Sequence, residues 1–258
     1  MSAPRFTGER LDAGSELFRA DLARHRAAYR FAVQHSDGSR VLDLGCGSGY
    51  GTAELAVSAR LTVGIDRARP DADARRDAAR YVRADVALPP LGDSTFDLVV
   101  SFQVIEHLAD PTAYLESIAR LLRPDGLALV TTPNRLTSDG ENPFHVREYL
   151  ADELRQCLCD HFREVEMRGV GASAAAAAYL DDRLRRIRRI VRLDPLRLRE
   201  RLPRAWIEWL FARLALRIRR DIGSADGIPA LDVSDFPIGP ADPSCIDLLA
   251  ICRRPIVR

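Results

Sequence analysis

Four glycines at alternate positions, Gly45, Gly47, Gly49 and Gly51, come soon after Asp43 in the run VLDLGCGSGYG. Such a loop can take positive φ, and it lacks the Cβ atoms that would hold a ligand away from the main chain. An acid immediately before it suits a ligand with an ammonium group better than one with phosphates. A dinucleotide fingerprint would also want glycine at the sixth place, where this chain has Tyr50. Two more acids, Asp66 and Asp85, close apolar runs, and a carboxylate at the place of Asp66 can accept from both hydroxyls of a ribose. Further along, Gln103, Glu106 and His107 lie at i, i+3 and i+4, a spacing that predicts one face of a helical turn, and His145 comes later in ENPFHVREYL. Carboxylate plus imidazole is a proton-transfer set, and it is equally a ligand set for a divalent cation.

The elements that must position these groups read as alternating strands and helices. Strand-like runs cover Arg40 to Leu44, Leu61 to Ile65, Arg80 to Ala84, Phe96 to Ser101 and Leu127 to Thr132, with helical segments between most of them. Repetition of this kind predicts a parallel sheet whose ligands gather at the carboxyl ends of the strands, where the candidate residues fall. LADELRQCLCDHF reads as an amphipathic helix, REVEMRGV as a sixth strand and CIDLLAICRR as a seventh. Ahead of the sheet, Leu11 to Gln34 is helical in character and is expected to cover the ligand-binding edge, with Arg10, His25 and Tyr29 as candidate substrate contacts or packing residues.

Taken in order, the loop, the acid of VGID, the acid of VRADV, the segment FDLVVSFQVIEHLAD and the run LLRPDGLALVTTPN resemble the class I S-adenosylmethionine (SAM) dependent methyltransferases from about Arg40 to Arg168. The resemblance implies a Rossmann-like α/β fold. Its sheet would be seven-stranded and mostly parallel, with an antiparallel last strand, helices on both faces and a helical insertion before that strand. It also implies SAM as cofactor, with Gly45, Gly47 and Gly49 around the methionine portion, Asp66 at the ribose, Asp85 and the Val86 N–H at adenine, and Asp43, Cys46, Arg67 and Phe102 as further cofactor-binding residues. Glu106, His107 and His145 are then the candidates for activating an acceptor, most simply for O-methylation of a small metabolite or a glycan or nucleotide-sugar precursor. The core is similar to ubiquinone-type O-methyltransferases and to small-RNA 2′-O-methyltransferases, which hold a divalent metal at this place. Their pattern starts with Glu where this chain has Gln103, whose amide oxygen can bind a hard cation but brings no charge. Gln103, Glu106, His107 and His145 are accordingly the expected ligands of any Mg²⁺, Mn²⁺ or Zn²⁺; His107 or His145 as a metal-free base is the alternative.

The 258 residues suit one α/β domain with additions: a helical cover at 1–39, a core at 40–170, an insertion at 171–244 and a last strand at 245–258. The five cysteines are odd in number and lack zinc-ribbon spacing, which predicts free thiols. MSAPRFTGER lacks the apolar core of a signal peptide and no apolar run spans a bilayer, so the expected location is cytoplasmic. From Arg183 to Arg220 there are fourteen Arg against three acids in a chain that contains no Lys. Two apolar helical stripes, Leu184, Ile187, Ile190, Val191 and then Ile207, Leu210, Phe211, Leu214, Ile218, run through that stretch. It reads as a helical cap with a solvated Arg face, as a contact for an anionic acceptor, or as a peripheral membrane contact, and its apolar face could make a homodimer. No recognisable RNA module is present. Asp221 to Cys245, rich in Pro, Gly and acids, predicts an irregular loop closing the pocket. Two other readings stay open: a SAM-binding regulatory or assembly subunit without transferase activity, and a dinucleotide oxidoreductase, which the glycine spacing disfavours.

Overall fold

The apolar runs become strands whose side chains alternate between two covered faces. The computed structural model describes residues 18–71, 79–138, 142–191, 213 and 230–257. β1 (Arg40–Leu44), β2 (Leu61–Asp66), β3 (Ala79–Arg83), β4 (Phe96–Phe102) and β5 (Leu122–Pro133) pair in parallel, while β6 (Phe162–Val170), β7 (Ile238–Pro240) and β8 (Asp247–Pro255) add antiparallel pairings. The order across the sheet is β3-β2-β1-β4-β5-β8-β6-β7. Because each strand has a side-chain period of two, Leu98, Val100, Leu129, Leu249 and Ile251 pack on one face with Ala28, Tyr29 and Ala32 of α1 (Arg19–Val33) and Leu55 of α2 (Tyr50–Leu55). Val99, Val130, Leu248 and Ala250 turn the other way. They pack with Tyr114, Leu115 and Ile118 of α3 (Thr112–Leu121) and with Leu154 and Leu158 of α4 (Ala151–Cys159). Removing this much apolar surface from water, at about 25 cal/mol per Å², is the main force holding the layers together.

Local signals set the helix ends. Asp110 accepts from the Thr112 N–H before α3, Glu153 reaches back to the Leu150 N–H at the start of α4, and Ser173 accepts from Ala176 at the start of α5 (Ala174–Val191). A smaller cluster joins Ala20, Ala23 and Ala27 of α1 to Ala176 and Tyr179 of α5, with Val170, Leu231 and Phe236.

Three expectations are corrected by the fold. Among the described residues the sheet has eight strands rather than seven, because part of the stretch expected to be irregular folds: Val233–Asp235 forms a 3₁₀ turn, Phe236 is buried, and β7 pairs with β6. Apolar Leu231 and Phe236 supplied the burial that the surrounding Pro and Gly concealed. β5 begins at Leu122 rather than Leu127, its pairing with β4 shifting register between Phe96 and Leu98. And α1 is no mere cover, since its second half lies on the sheet face as core. The second apolar stripe of the insertion, Trp206 and Trp209, and Arg10 lie outside the described residues. All five cysteines are free, and among the described residues no helix is long and apolar enough to cross a membrane.

Candidate active site at the carboxyl ends of the strands

β1 delivers Asp43 into the core, where it is fully buried. Thr52 Oγ1 donates to its Oδ2 at 2.6 Å and the Tyr29 hydroxyl lies 3.3 Å from both oxygens. Burial pushes this carboxyl up to about 7, against the hydrogen bonds from Thr52 and Tyr29 and with a further push from Asp66. After β1 the chain turns through Gly45, Gly47 and Gly49 at φ 89°, 53° and 88°. A Cβ on Gly45 would sit 2.4 Å from Val104 Cγ2, and one on Gly51 would fall within the Tyr29 ring, whereas the space beside Gly47 is open to 4 Å. The loop is thus pressed from behind by Val104 and Tyr29 and bare in front, a cradle that a ligand can enter against the backbone.

Asp66, ending β2, closes the cradle. Its Oδ2 accepts from Gly47 N at 2.9 Å and its Oδ1 from Ala68 N at 2.8 Å, so the two bonds fix the carboxylate beside the loop and each oxygen retains a lone pair for a ribose hydroxyl. A cleft lined by Cys46, Gly64, Asp66, Ala68 and Tyr81 opens alongside. At the far end Asp85 accepts from the Ala87 N–H and from Arg67, contacts that hold it below the usual carboxylate range, and it stands half exposed with Val86 buried next to it. Arg67 is committed to that ion pair. Phe102 directs its ring into the core, edge-on to Tyr29 at 4.8 Å between centroids.

The second half of the site assembles at the ends of β4 and β5. The helical face expected for Gln103, Glu106 and His107 is absent. Gln103 takes a left-handed conformation with φ 56°, and only Ile105–His107 forms a 3₁₀ turn. Gln103 therefore points elsewhere, its amide donating to Asp247 Oδ1 at 3.1 Å, while Glu106, His107 and His145 come together with one ligand-capable atom of each within 4.8 Å of the others. Glu106 is fully buried; Thr132 donates to its Oε2 at 3.1 Å, its Oε1 has no hydrogen-bond partner, and His107 Nε2 lies 3.9 Å from that oxygen. Burial raises this carboxyl to about 7, with His145 and the Thr132 bond acting against it. His107 Nδ1 is 3.1 Å from the Phe144 carbonyl, and burial lowers the imidazole below its ordinary value in spite of that carbonyl. His145 packs edge-on to His107 and is held through Nδ1 by Glu148 at 2.7 Å and through Nε2 by Asn142 at 2.8 Å.

Sequence reasoning missed Asp247, Arg24, Glu148 and Thr132. Asp247 is buried at the start of β8 and receives both a bidentate contact from Arg24 of α1 and the amide of Gln103. A lone acid opening an apolar strand in CIDLL was the available signal, as was Glu148 three residues after His145. His25, one turn before Tyr29 on α1, is partly exposed; burial and neighbouring Arg24 push it down to about 4, so it is neutral.

A sheet of this order, with a glycine cradle after β1 and an acid bonded to that cradle after β2, is the arrangement of a SAM-dependent methyltransferase. Residues 16–185 match the family model described as "Methyltransferase domain", and the chain belongs to that family. It is 41% identical over 175 residues to a protein of Mycolicibacterium smegmatis named "Probable S-adenosylmethionine-dependent methyltransferase", covering 64% of this chain and 67% of that one. A Mycobacterium tuberculosis protein, likewise named a probable SAM-dependent methyltransferase, is 39% identical over 173 residues, 64% of this chain and 63% of the relative, so the match spans about two thirds of these relatives' length. A ubiquinone biosynthesis O-methyltransferase of Dinoroseobacter shibae is 37% identical over 107 residues, covering 38% of this chain and 42% of that one. Among solved structures, a SAM-dependent methyltransferase of Thermotoga maritima shares the fold, with TM-score 0.58 and 14% identity over 92% of both chains. The cradle, open beside Gly47 and walled by Asp66, suits SAM: bare backbone would face the methionine portion and the Asp66 carboxylate would face the ribose.

Proposed function

We propose that the protein methylates an oxygen of a small acceptor, a metabolite or glycan precursor, and that His107 takes the acceptor's proton. The observation that carries this is the Glu106, His107 and His145 cluster standing at the ends of β4 and β5 next to the loop that Val104 presses. SAM, when bound, supplies an electrophilic methyl group on a sulfonium. The chain's own residues hold and orient the acceptor and move its proton. A carbonyl can only accept, so the Phe144 carbonyl 3.1 Å from Nδ1 favours the tautomer of neutral His107 with its proton on Nδ1. Burial holds the His107 imidazole below its ordinary pKa, against the carbonyls of Phe144 and Gln103, and so favours the neutral, proton-accepting form. Glu106, 3.9 Å away, stabilises the imidazolium as it forms, and His145, fixed by Glu148 and Asn142, walls the same space. The partial likeness to ubiquinone O-methyltransferases supports oxygen as the acceptor atom. The test is a panel of hydroxyl and amine acceptors with methyl-labelled SAM. Transfer to a hydroxyl that His107→Ala abolishes supports the reading; transfer to nitrogen alone, or transfer indifferent to that substitution, overturns it.

A second reading has its own observation: a fully buried carboxylate oxygen without a partner, facing two imidazoles at ligand spacing. In it Glu106, His107 and His145 would hold a divalent cation, with His145 giving up Asn142 or Glu148 to do so, and the cation would supply Lewis-acid polarisation of the acceptor hydroxyl. Metal analysis of the purified protein and activity after chelation separate the two, since full activity in metal-free protein removes the cation.

A further inference from the structure

Gln103 stands between the two halves of the site in a conformation that a non-glycine residue adopts only when its surroundings impose it, φ 56° at the end of β4. The constraint is visible. Its N–H donates to the Thr131 carbonyl at 3.0 Å, extending the β4–β5 pairing by one residue, and its side-chain amide donates to Asp247 Oδ1 at 3.1 Å. Asp247 is 3% exposed and is itself locked by the bidentate guanidinium of Arg24. That ion pair holds Arg24 firmly cationic despite its burial. The chain beyond Gln103 takes its direction from the bend: Val104 is turned onto Gly45, and the 3₁₀ turn carries Glu106 and His107 towards His145. A residue relaxed to negative φ at this point would send Val104 away from the loop and Glu106 away from Thr132.

We propose that Gln103 is a positioning residue, held in its left-handed bend by Asp247 and Arg24, and that this bend sets the cofactor loop and the acceptor-side cluster in register with each other. α1 is thereby tied to both halves, through Tyr29 on Asp43 and through Arg24 on Asp247. The cofactor arm rests on SAM binding alone and is independent of how the acceptor loses its proton.

The experiment is calorimetric titration of S-adenosylhomocysteine into the full chain, comparing Gln103→Ala with Gln103→Gly. Alanine loses the bond to Asp247 yet keeps the steric cost of positive φ, so the loop relaxes and the competent population falls. Glycine loses the same bond but adopts the bend freely. The expected result is a Kd raised about tenfold or more by Gln103→Ala and by less than about threefold by Gln103→Gly. Asp247→Asn, which keeps an acceptor for Gln103 but weakens the hold of Arg24, is expected to fall between them. Equal losses in the Ala and Gly variants would show that the side chain matters and the bend does not. Unchanged affinity in both would show that neither does, and either outcome overturns the proposal.

Discussion

The cofactor half and the acceptor half of this site are built by opposite means. Between Asp43 and Asp66 the binding surface is mostly backbone, folded by consecutive residues: three glycines at positive φ and one acid that ties back to Gly47. The acceptor half is made of side chains from segments far apart, Arg24, Gln103 to His107, Thr132, His145 to Glu148, and Asp247. A backbone cradle recognises a ligand common to a whole family. A side-chain assembly can be altered one residue at a time, which is where selectivity for an acceptor resides.

The contrast predicts that substitutions in the Glu106, His107 and His145 cluster change turnover and leave cofactor affinity alone, while cofactor-half substitutions do the reverse; Gln103 and Asp247, which join the halves, are the exceptions. The largest effect is expected from His107→Ala, a fall in methyl transfer of about 10²–10⁴-fold, with S-adenosylhomocysteine affinity within about twofold of the parent. A parallel loss of affinity would break the division. Next comes Gly45→Ala, expected to weaken S-adenosylhomocysteine binding about a hundredfold, because the new Cβ meets Val104 Cγ2 at 2.4 Å and the residue must also hold φ 89°. Adding Val104→Ala removes the clash but not the φ cost, so calorimetry on the double variant should recover only part of the loss.

Asp66→Ala is expected to cost about tenfold in the same titration, since it strips a partner from the Gly47 and Ala68 N–H groups as well as from the ribose. Unaltered affinity would remove Asp66 from the cofactor site. The smallest effect is on stability. Asp43 has a folded pKa of about 7 against an ordinary value of 3.8, so the folded state holds the proton more tightly. Its contribution is present in full below the lower value and is lost as pH rises through the higher one, to the extent of a few kcal/mol at most. Without ligand the protein should therefore melt at lower temperature at pH 8 than at pH 5, and Asp43→Asn should flatten that slope. A slope equally steep in the variant would assign it to other groups.

The same contrast explains which parts of the molecule could be read from the sequence. β1, its loop and Asp66 depend on neighbours along the chain, so glycine spacing and an acid after an apolar run were enough to place them. Asp247 has its meaning only through Arg24, 223 residues away, and through Gln103, 144 residues away, distances over which no periodicity carries information. Gln103 misled for a related reason. Its i, i+3, i+4 spacing with Glu106 and His107 predicted a helix, but its N–H bonds to the Thr131 carbonyl at the end of the β4–β5 pairing and a tertiary bond stabilises the left-handed turn. Leu231 and Phe236 likewise looked like isolated apolar residues in a turn-rich stretch until α1 and α5 provided the surface that covers them.

The place of β8 in the sheet governs how the molecule can be assembled on the ribosome. It is the last of the eight strands to be synthesised, yet it lies between β5 and β6. Until it emerges from the exit tunnel, β5 has an unpaired inner edge, β6 has no neighbour to join it to the parallel strands, and Arg24 waits for a carboxylate not yet made. Nascent chains stalled just before β8 should thus be the species most in need of a chaperone, and closure of the sheet should be a late, single event.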